Sequence, residues 1–507
     1  MFYQCSGFQT DICLYFVTKN SEGVFVIMKF SKVAMLSLVA AVAFSGAAMA
    51  TEAPEIYTKQ ATQYLTEKGW EPNAKAVIND MFDAFGKNNV NYNPEIRPYA
   101  VFDCDNTISL TDIQEQLFIY QIENLRFAFA PKDMFKIATM GVPDPNQDLG
   151  EDYDHATVAK LAKDVQAAYA KLYKKGYVAA DASKAAKKAE WMATDDWKEF
   201  ATKLRLMYDA IGDSTSVSVS YPWIGYFFTD MTPTQAEQLA YESHVFYTEL
   251  GKKSPKNWTK CKWESPKNYK SVTGPKSVSF RQSTGVSAEM RELLKKLDAN
   301  GIDVYICSAS PVITIRGVMR AWQLEGVRDC FAMTYKMKDG KYIAEYDYDF
   351  HAQTQGVGKA ETIAKCLAPL YNGNGPIFGA GDSQGDFNFM TEFKATVAGI
   401  IINRIRKDDA GICSAIAMYQ NKHNVTLADA MKKGEIRFVL QGRQENGGYF
   451  WAEPGTMLVT KNKTGVLHEK AEKWLEMLEK GTTPNELLNK CTELTGKLKT
   501  YQGTKTR

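Results

Sequence analysis

The feature that most constrains this chain is a short apolar run, residues 99–107, that ends abruptly in two aspartates. It reads YAVFDCDNT, and its apolar part predicts a buried strand. Asp103 and Asp105 stand two positions apart at the strand's carboxyl end, so their side chains point to the same side. Two carboxylates that share one spot repel each other unless a cation neutralises them or one takes a proton. A strand that runs into an aspartate-rich turn gives the same pattern. The two aspartates alone therefore do not distinguish a catalytic site from a turn.

Further apolar runs alternate with amphipathic segments downstream of this strand. Buried strands are predicted at 302–307, 377–380 and 396–402, and a helix over 287–297. Strands alternating with helices predict an α/β fold with a Rossmann-like, doubly wound parallel sheet, and near-continuous apolar strands agree with burial on both faces. The stretch between the first two strands is too long for a crossover. We therefore expect it to form an inserted, mostly helical cap domain.

These patterns divide the 507 residues into parts. We expect an upstream extension with a signal peptide over 1–50, a helical leader over 51–98, the sheet core over 99–107 and 286–440, the helical cap over 108–285, and a carboxyl-terminal extension over 441–507.

The amino-terminal segment has the pattern of a secretory signal peptide. Lys29 and Lys32 precede an apolar stretch over 33–44, and an A-x-A ending leads to Ala50. This pattern predicts cleavage after Ala50, a periplasmic or secreted protein, and a signal that starts at Met28. The apolar stretch is short for a membrane span, so an uncleaved anchor is the lesser alternative, and we expect no stable membrane insertion after cleavage.

The overall charge excludes some classes of partner. The chain carries 61 Lys and Arg residues against 59 Asp and Glu residues. A balance this close gives no electrostatic basis for binding nucleic acid or an anionic membrane surface. We therefore expect no nucleic-acid partner.

Chemically active side chains follow several of the predicted strands. Ser308 ends the second strand, Lys359 opens a helix, and Asp382 and Asp386 follow the third strand in the sequence GDSQGD. Each residue alone fits a strand-end cap, a solvated helix start or a plain turn. Because ligands of a parallel sheet bind at the carboxyl ends of its strands, their joint occurrence in this order indicates one site.

This set of residues suits phosphoryl transfer. Asp103 is the candidate nucleophile, and Asp105 the candidate acid and base for the leaving alcohol and the attacking water. Asp103, Asp382 and the Asp105 backbone carbonyl offer the hard oxygen ligands that Mg²⁺ prefers. Ser308 and Lys359 can hold the phosphoryl oxygens and stabilise developing charge.

These motifs resemble those of haloacid dehalogenase superfamily phosphatases, of the branch similar to phosphoserine and phosphorylcholine phosphatases. The resemblance covers about residues 98–405 and rests on four motifs in order: D-x-D-x-T at 103–107, Ser308, Lys359, and G-D-x-x-x-D at 381–386. It implies a Rossmann-like core, a helical cap inserted after the first motif, and magnesium-dependent hydrolysis of a phosphomonoester through an aspartyl-phosphate.

The resemblance also assigns roles to single residues. It implies that Thr107 contributes to phosphate binding and that Asp386 lies beside the metal ligand Asp382. Dehalogenases lack the second aspartate of the first motif, so Asp105 favours phosphatase chemistry. Phosphoserine phosphatases usually have glycines where this chain has Ala309 and Ser310, which argues against phosphoserine itself.

Substrate choice is expected to lie in the cap. Asp112 and Glu115 stand at its entrance, where the related branch uses an acidic residue to receive the substrate's amino group, and either carboxylate can attract a cation. Trp223 and Tyr226 belong to an aromatic stretch that can surround a quaternary ammonium. A solvent-facing helix acid and an aromatic cap core are the alternatives. Phosphorylcholine and other amino-alcohol phosphates are therefore candidate substrates.

Two other functions are compatible with the same residues. A phosphotransferase or phosphomutase would use the same aspartyl-phosphate, and a binding protein could keep the scaffold without turnover. The intact set Asp103, Asp105, Lys359 and Asp382 favours catalysis over binding alone.

Overall fold

The computed structural model of the chain describes residues 14–19, 25–30, 61–254 and 256–495. The chain divides into two compact units. Within the smaller, Met1–Lys59, the antiparallel strands β1 (Leu14–Lys19) and β2 (Phe25–Phe30) are described. The predicted apolar stretch of the signal peptide and its cleavage site at Ala50 lie outside the described residues. Within those that are described, no helix combines the length and apolar character needed to cross a bilayer.

The larger unit, Gln60–Arg507, contains the other described elements. Its helices are α1 (Pro72–Phe85), α2 (Ile113–Glu123), α3 (Pro131–Thr139), α4 (Val158–Lys174), α5 (Lys188–Met192), α6 (Asp195–Ser214), α7 (Val217–Gly225), α8 (Pro233–Lys253), α9 (Ala288–Ala299), α10 (Val312–Trp322), α11 (Val357–Thr362), α12 (Phe387–Thr391), α13 (Asp409–Lys422), α14 (Leu427–Lys432), α15 (Glu469–Glu479), α16 (Pro484–Asn489) and α17 (Cys491–Thr495). Its strands are β3 (Tyr99–Phe102), β4 (Thr259–Glu264), β5 (Ser277–Gln282), β6 (Asp303–Pro311), β7 (Val327–Met333), β8 (Tyr335–Lys338), β9 (Lys341–Tyr346), β10 (Phe378–Gly381), β11 (Ala398–Ile402), β12 (Arg437–Gln441), β13 (Arg443–Gln444), β14 (Tyr449–Phe450), β15 (Thr456–Met457) and β16 (Thr464–Gly465).

Six parallel strands form the central sheet in the order β12-β11-β10-β3-β6-β7. The chain runs from β3 to one edge, returns to β10 and continues to the other edge. The switch point of this doubly wound sheet therefore lies between β3 and β10, where ligands of such sheets bind. Separate apolar clusters cover the two faces of the sheet, as its apolar strands require. The predicted α/β fold with a Rossmann-like core is confirmed.

Local sequence signals explain several element ends. Ser287 caps helix α9, because its side chain accepts the Met290 backbone N–H at 3.2 Å. Between β8 and β9, Asp339 and Gly340 both have positive φ, 52° and 74°, as the two-residue turn of a hairpin requires. Helix α9 lies where the sequence predicts a helix, and Asp-Gly is itself a strong hairpin signal.

The segment from α2 to β5 forms the predicted, mostly helical cap. Helices α2 to α8 surround an apolar core in which the Trp223 ring lies 5.6 Å from that of Phe118 and 4.8 Å from that of Phe227. The cap also contains the antiparallel hairpin β4–β5, which the sequence analysis does not predict. Polar and apolar residues alternate in both strands, which is a local signal for a half-buried strand. The long polar segment between the two strands gives no tight-turn signal for a hairpin.

The carboxyl-terminal part adds a small sheet beside the core. Its strand order is β14-β13-β15-β16, and β13 follows β12, the edge strand of the central sheet, after a single residue. Trp474 of α15 and Leu487 of α16 belong to the apolar cluster on one face of the central sheet. The domain boundaries given above remain predictions.

Buried His244 makes the stability of the fold depend on pH. His244 is fully buried in α8, where its Nδ1 lies 2.8 Å from the Ser243 hydroxyl and 2.9 Å from the Ala240 carbonyl oxygen. Its ring packs edge-on against that of Trp322 at 5.6 Å. Burial lowers the pKa of His244 from 6.5 to about 4. The unfolded chain therefore takes up this proton at a higher pH than the folded chain, so stability falls as the pH drops through this window.

We predict that His244→Phe removes this part of the pH dependence and keeps the contact with Trp322. Between pH 6.5 and pH 4 the parent should lose about 3 kcal/mol more free energy of unfolding than the variant. Urea unfolding of both proteins at the two pH values measures the difference. Equal losses in the two proteins would contradict the assignment.

Candidate active site

The two aspartates predicted from the sequence directly follow β3, in a loop over residues 103–109 that we call the aspartate loop. The Asp103 backbone N–H donates to the Ala380 carbonyl of β10 at 2.9 Å and ties the loop to the switch point of the sheet. Asn106 has φ +61°, a left-handed conformation that asparagine tolerates better than most residues. The Ser109 N–H closes the loop by donating to the Cys104 carbonyl at 2.9 Å.

Lys359 of α11 lies between two of the acids. Its ammonium donates to Asp103 Oδ1 at 2.5 Å and to Asp386 Oδ1 at 2.6 Å, and all three side chains are buried. Burial alone would lower the pKa of Lys359, but the carboxylates of Asp103 and Asp386 outweigh it and raise this pKa. Lys359 is therefore a fixed positive charge within the acid cluster.

Asp386 shapes the loop that follows β10. Its Oδ2 accepts the backbone N–H groups of Asp382 and Ser383, both at 3.1 Å, and the Ser383 hydroxyl at 3.2 Å. A Cβ at position 381 would lie only 2.4 Å from the Cβ of Asp386, so Gly381 is needed for this close approach. These contacts place the Asp382 carboxylate toward the aspartate loop.

The Asp105 side chain accepts hydrogen bonds from residues of β6 and from the first residue of α2 in the cap. Its Oδ1 accepts the Ile113 N–H at 2.6 Å, and its Oδ2 accepts the hydroxyls of Ser310 at 2.7 Å and Ser308 at 3.2 Å. Burial raises the pKa of Asp105, and these hydrogen bonds offset only part of the increase. A carboxyl group with a raised pKa is suited to proton transfer near neutral pH.

The donor set fits a hard divalent cation. Asp103, Asp382 and Asp386 each place a carboxylate oxygen within 4.8 Å of those of the other two, and all three are buried. Burial, and then the charge of Asp386, raise the pKa of Asp103 well above its ordinary value, and burial also raises the pKa of Asp382. The cluster thus contains three buried acids and one buried lysine, Lys359. Such a cluster of carboxylate oxygens matches the ligand preference of Mg²⁺.

A cavity of about 190 Å³ lies over these groups. Its walls consist of residues from strand ends, from the cap and from the segment after β11. The cap contributes Asp112, Gln114, Val217 and Tyr221, and the segment after β11 contributes Arg404 and Arg406. A second cavity of about 680 Å³ adjoins the first, with Asn106, Asp112 and Arg404 in both walls. The first cavity is of a size to hold a phosphate group, and the second offers room for the rest of an ester.

The two predicted cap acids lie in different surroundings. Asp112 lines both cavities and caps α2, where its Oδ1 accepts the Glu115 N–H at 2.8 Å. Glu115 lines only the larger cavity and forms an ion pair with the buried Arg205, which also pairs with Asp209. Asp112 forms no ion pair with the residues that the structure describes.

Four predicted residues lie away from both cavity walls. One of them, Ser308, is fully buried and donates its hydroxyl to Asp105. Trp223 is fully buried in the cap core and donates its indole N–H to the Ala138 carbonyl at 3.0 Å. Tyr226 is buried nearby, with its ring 5.8 Å from that of Tyr335. Thr107 is buried next to the aspartate pair, and its hydroxyl has no hydrogen-bond partner among the described residues. The roles predicted for these four residues remain predictions.

The sequence analysis assigns no role to several side chains at the site: Ser310, Gln114, Tyr221, Gln355, Arg404, Arg406, Arg443 and Glu445. A sequence signal exists for the arginines after β11. The rule that ligands meet strand ends applies to β11 as well, and Asn-Arg-Ile-Arg follows it at 403–406. The other residues reach the site only through tertiary packing.

Comparisons with known proteins support the fold. No protein-family model matches the chain, and no curated protein matches it. A solved structure of a conserved, functionally unknown protein from Anaerococcus prevotii DSM 20548 is 25% identical with a TM-score of 0.65, and the match covers 79% of this chain and 99% of that one.

Two further solved structures are more distant. A protein of unknown function from Bordetella pertussis Tohama I is 11% identical with a TM-score of 0.31, over 67% of this chain and 97% of that one. Cytosolic 5′-nucleotidase IIIB bound to cytidine is 14% identical with a TM-score of 0.28, over 66% and 80%. Similarity at this level carries no argument about function, so the functional argument rests on the site itself.

Mg²⁺ is predicted to stabilise the folded chain through the acid cluster. A cation that binds only the folded state adds about 2.7 kcal/mol of stability at a concentration 100-fold above its Kd, so Tm should rise with MgCl₂ relative to EDTA. Asp382→Asn should remove most of that rise. The control is Asp303→Asn, a buried aspartate on β6 that pairs with Arg97 and Arg328 instead. Asp303→Asn should lower Tm but keep the response to Mg²⁺; a response lost equally in both variants would contradict the assignment.

Proposed function

We propose that the chain is an exported, magnesium-dependent phosphomonoesterase that acts on a small organic phosphate through an aspartyl-phosphate. The observation that carries the proposal is the placement of Asp103, Asp105, Lys359 and Asp382 around one cavity at the switch point of the sheet. Export rests on the signal-peptide pattern alone, and an amino terminus at Thr51 in the mature protein would test it.

In the first half-reaction, a carboxylate oxygen of Asp103 attacks phosphorus and the bond from phosphorus to the ester oxygen breaks. Asp105 gives its proton to the departing alcohol. Lys359 stabilises the charge on the phosphoryl oxygens by donating hydrogen bonds. Ser308, the other residue predicted for this role, lines neither cavity and donates its hydroxyl to Asp105 instead. The raised pKa of Asp105 supports this step, because the group must carry a proton before the alcohol leaves.

In the second half-reaction, Asp105 takes a proton from water, and the water oxygen attacks phosphorus. The bond between phosphorus and Asp103 breaks and releases inorganic phosphate. Asp103, Asp382 and the Asp105 carbonyl would hold Mg²⁺, which supplies positive charge that reduces repulsion between the phosphate and the carboxylates. Burial of Asp103 and Lys359 limits competition from solvent.

An amino alcohol is the leaving group that we propose. Asp112 lines both cavities and has no described cationic partner, and its Oδ1 accepts a backbone N–H. Gln114 lines the catalytic cavity and is buried, and its Oε1 has no hydrogen-bond partner among the described residues. Both side chains offer acceptors, so they favour an amine with N–H donors over a quaternary ammonium such as choline.

The purified chain from residue 51 onward should release phosphate from at least one ester of a panel containing phosphoethanolamine, phosphorylcholine, glycerol phosphate and p-nitrophenyl phosphate. Release should need Mg²⁺ and stop with EDTA. Asp103→Asn should lower kcat by at least about 10³-fold because it removes the nucleophile, whereas Asp303→Asn should keep the rate within a few-fold.

Two outcomes would overturn this proposal. Absence of phosphate release from every ester with Mg²⁺ present would exclude a phosphomonoesterase of this kind. Transfer of phosphate to added glycerol that exceeds release to water would instead identify a phosphotransferase.

The leaving-group proposal predicts a charge-specific effect of Asp112→Asn, a change that keeps the helix cap. KM for phosphoethanolamine should rise about tenfold more than KM for ethyl phosphate, which lacks the ammonium group. This difference corresponds to about 1.4 kcal/mol. The matched control is Glu115→Gln, whose carboxylate already pairs with Arg205 and which should have a smaller charge-specific effect. Equal changes for both esters in Asp112→Asn would exclude a cation site at this residue.

A further inference from the structure

Three charged side chains connect the carboxyl-terminal part of the chain to the candidate active site. Arg443 lies on β13 and is fully buried, Glu445 follows that strand and is also buried, and Arg404 follows β11. They form a continuous set of hydrogen bonds that we call the arginine bridge. One end of the bridge contacts the aspartate loop, and the other contacts Asp382.

The first end of the bridge holds the aspartate loop. Arg443 Nη1 donates to the Asn106 carbonyl at 2.7 Å. Asn106 follows Asp105 directly and has a positive φ, so the loop depends on a conformation that most residues avoid. A buried guanidinium on this carbonyl fixes the direction of the backbone beside both catalytic candidates.

The middle of the bridge is a carboxylate shared by two arginines. Glu445 Oε1 accepts Arg443 Nη2 at 2.7 Å and Nε at 3.1 Å, and it also accepts Arg404 Nε at 3.3 Å. Its other oxygen accepts the Val459 backbone N–H at 2.8 Å. Glu445 therefore sets the position of the Arg404 side chain.

The second end of the bridge contacts the predicted metal ligand. Arg404 Nη1 lies 3.3 Å from Asp382 Oδ2 and lines both cavities. Removing Glu445 would leave Arg404 with Asp382 as its one remaining carboxylate partner among the described residues. The orientation of Asp382 is thus tied to a carboxylate outside the sheet core.

The backbone beside Arg404 is strained. Ile405 has φ +55°, which is a genuine outlier for a β-branched residue and costs on the order of 1–3 kcal/mol. Its N–H donates to Asn403 Oδ1 at 2.8 Å, and the Asn403 amide donates to the carbonyls of Pro454 and Val466 at 2.7 and 2.8 Å. The carboxyl-terminal part therefore holds the strained turn that carries Arg404 toward the site.

We propose that Arg443 and Glu445 are positioning residues for the cation site, acting through Arg404 and the Asn106 carbonyl. The proposal depends on the divalent-cation part of the proposed function but not on any particular ester. It makes the carboxyl-terminal part a component of the active site. Residues that orient metal ligands in this way typically change metal affinity by about 10–100-fold when they are mutated.

The test is direct binding of Mn²⁺, a substitute for Mg²⁺ that gives an EPR signal when free in solution. Titration of the full metal-free chain yields Kd without any ester. Glu445→Gln keeps the shape of the side chain and removes the charge that binds both arginines, and Arg443→Met removes the donor to Asn106. Each variant should weaken Mn²⁺ binding by about 10–100-fold.

The matched control is Arg437→Met. Arg437 is also a fully buried arginine, on the adjacent strand β12, and donates to the Val425 carbonyl at 2.7 Å and to Asn421 Oδ1 at 2.7 Å. It lines neither cavity. Arg437→Met should therefore lower Tm but leave the Kd for Mn²⁺ within about twofold of the parent value.

Parent-like Mn²⁺ affinity in folded Glu445→Gln and Arg443→Met would overturn the proposal, and so would an equal loss of affinity in Arg437→Met. Near-UV circular dichroism establishes that each variant is folded, and Arg404→Gln replaces Arg443→Met if the latter does not fold. A parent that binds no Mn²⁺ would overturn both this proposal and the metal dependence of the reaction. Tight Mn²⁺ binding without hydrolysis of any ester would overturn the proposed reaction alone.

Discussion

The ion pairs of Lys359 are the interaction on which the rest of the site depends. Its ammonium lies 2.5 Å from Asp103 and 2.6 Å from Asp386, where all three side chains are buried. Removing one member of such a group typically costs about 3–5 kcal/mol, because a buried charge loses its partner. Lys359 allows two acids to remain close together. With Asp382 the cluster holds three acids and a single lysine. A further cation would therefore reduce the repulsion between the carboxylates.

The parallel sheet explains why these groups meet. Asp103 follows β3, Asp382 follows β10 and Ser308 lies near the end of β6, and these three strands are neighbours in the sheet. Strand order alone therefore brings together residues separated by more than two hundred positions in sequence. The cap then contributes Asp112 to the walls of the site. Arg404, which follows β11 and is held by Glu445 of the carboxyl-terminal part, also lines the site.

The proposed reaction and the proposed choice of leaving group depend on different parts of the chain. The groups proposed for phosphoryl transfer belong to strand ends and helix starts of the core, whose geometry is fixed by hydrogen bonds and burial. The larger cavity, by contrast, has walls from the cap and the carboxyl-terminal part, including Glu115, Trp258 and Thr460. Under the proposed function, changes in those walls should alter the leaving group that is accepted and leave the core groups in place.

The sequence by itself determined the α/β fold and the residues at the centre of the site, because both depend on local patterns. An apolar run followed by Asp103 and Asp105 specifies a strand and its end without knowledge of its neighbours. Only the tertiary structure decided that Arg443 reaches Asn106, 337 positions away, that Ser310 contacts Asp105, that Glu115 pairs with Arg205, and that Trp223 lies in the cap core. Such contacts depend on how distant elements pack, and local sequence periodicity carries no record of that packing.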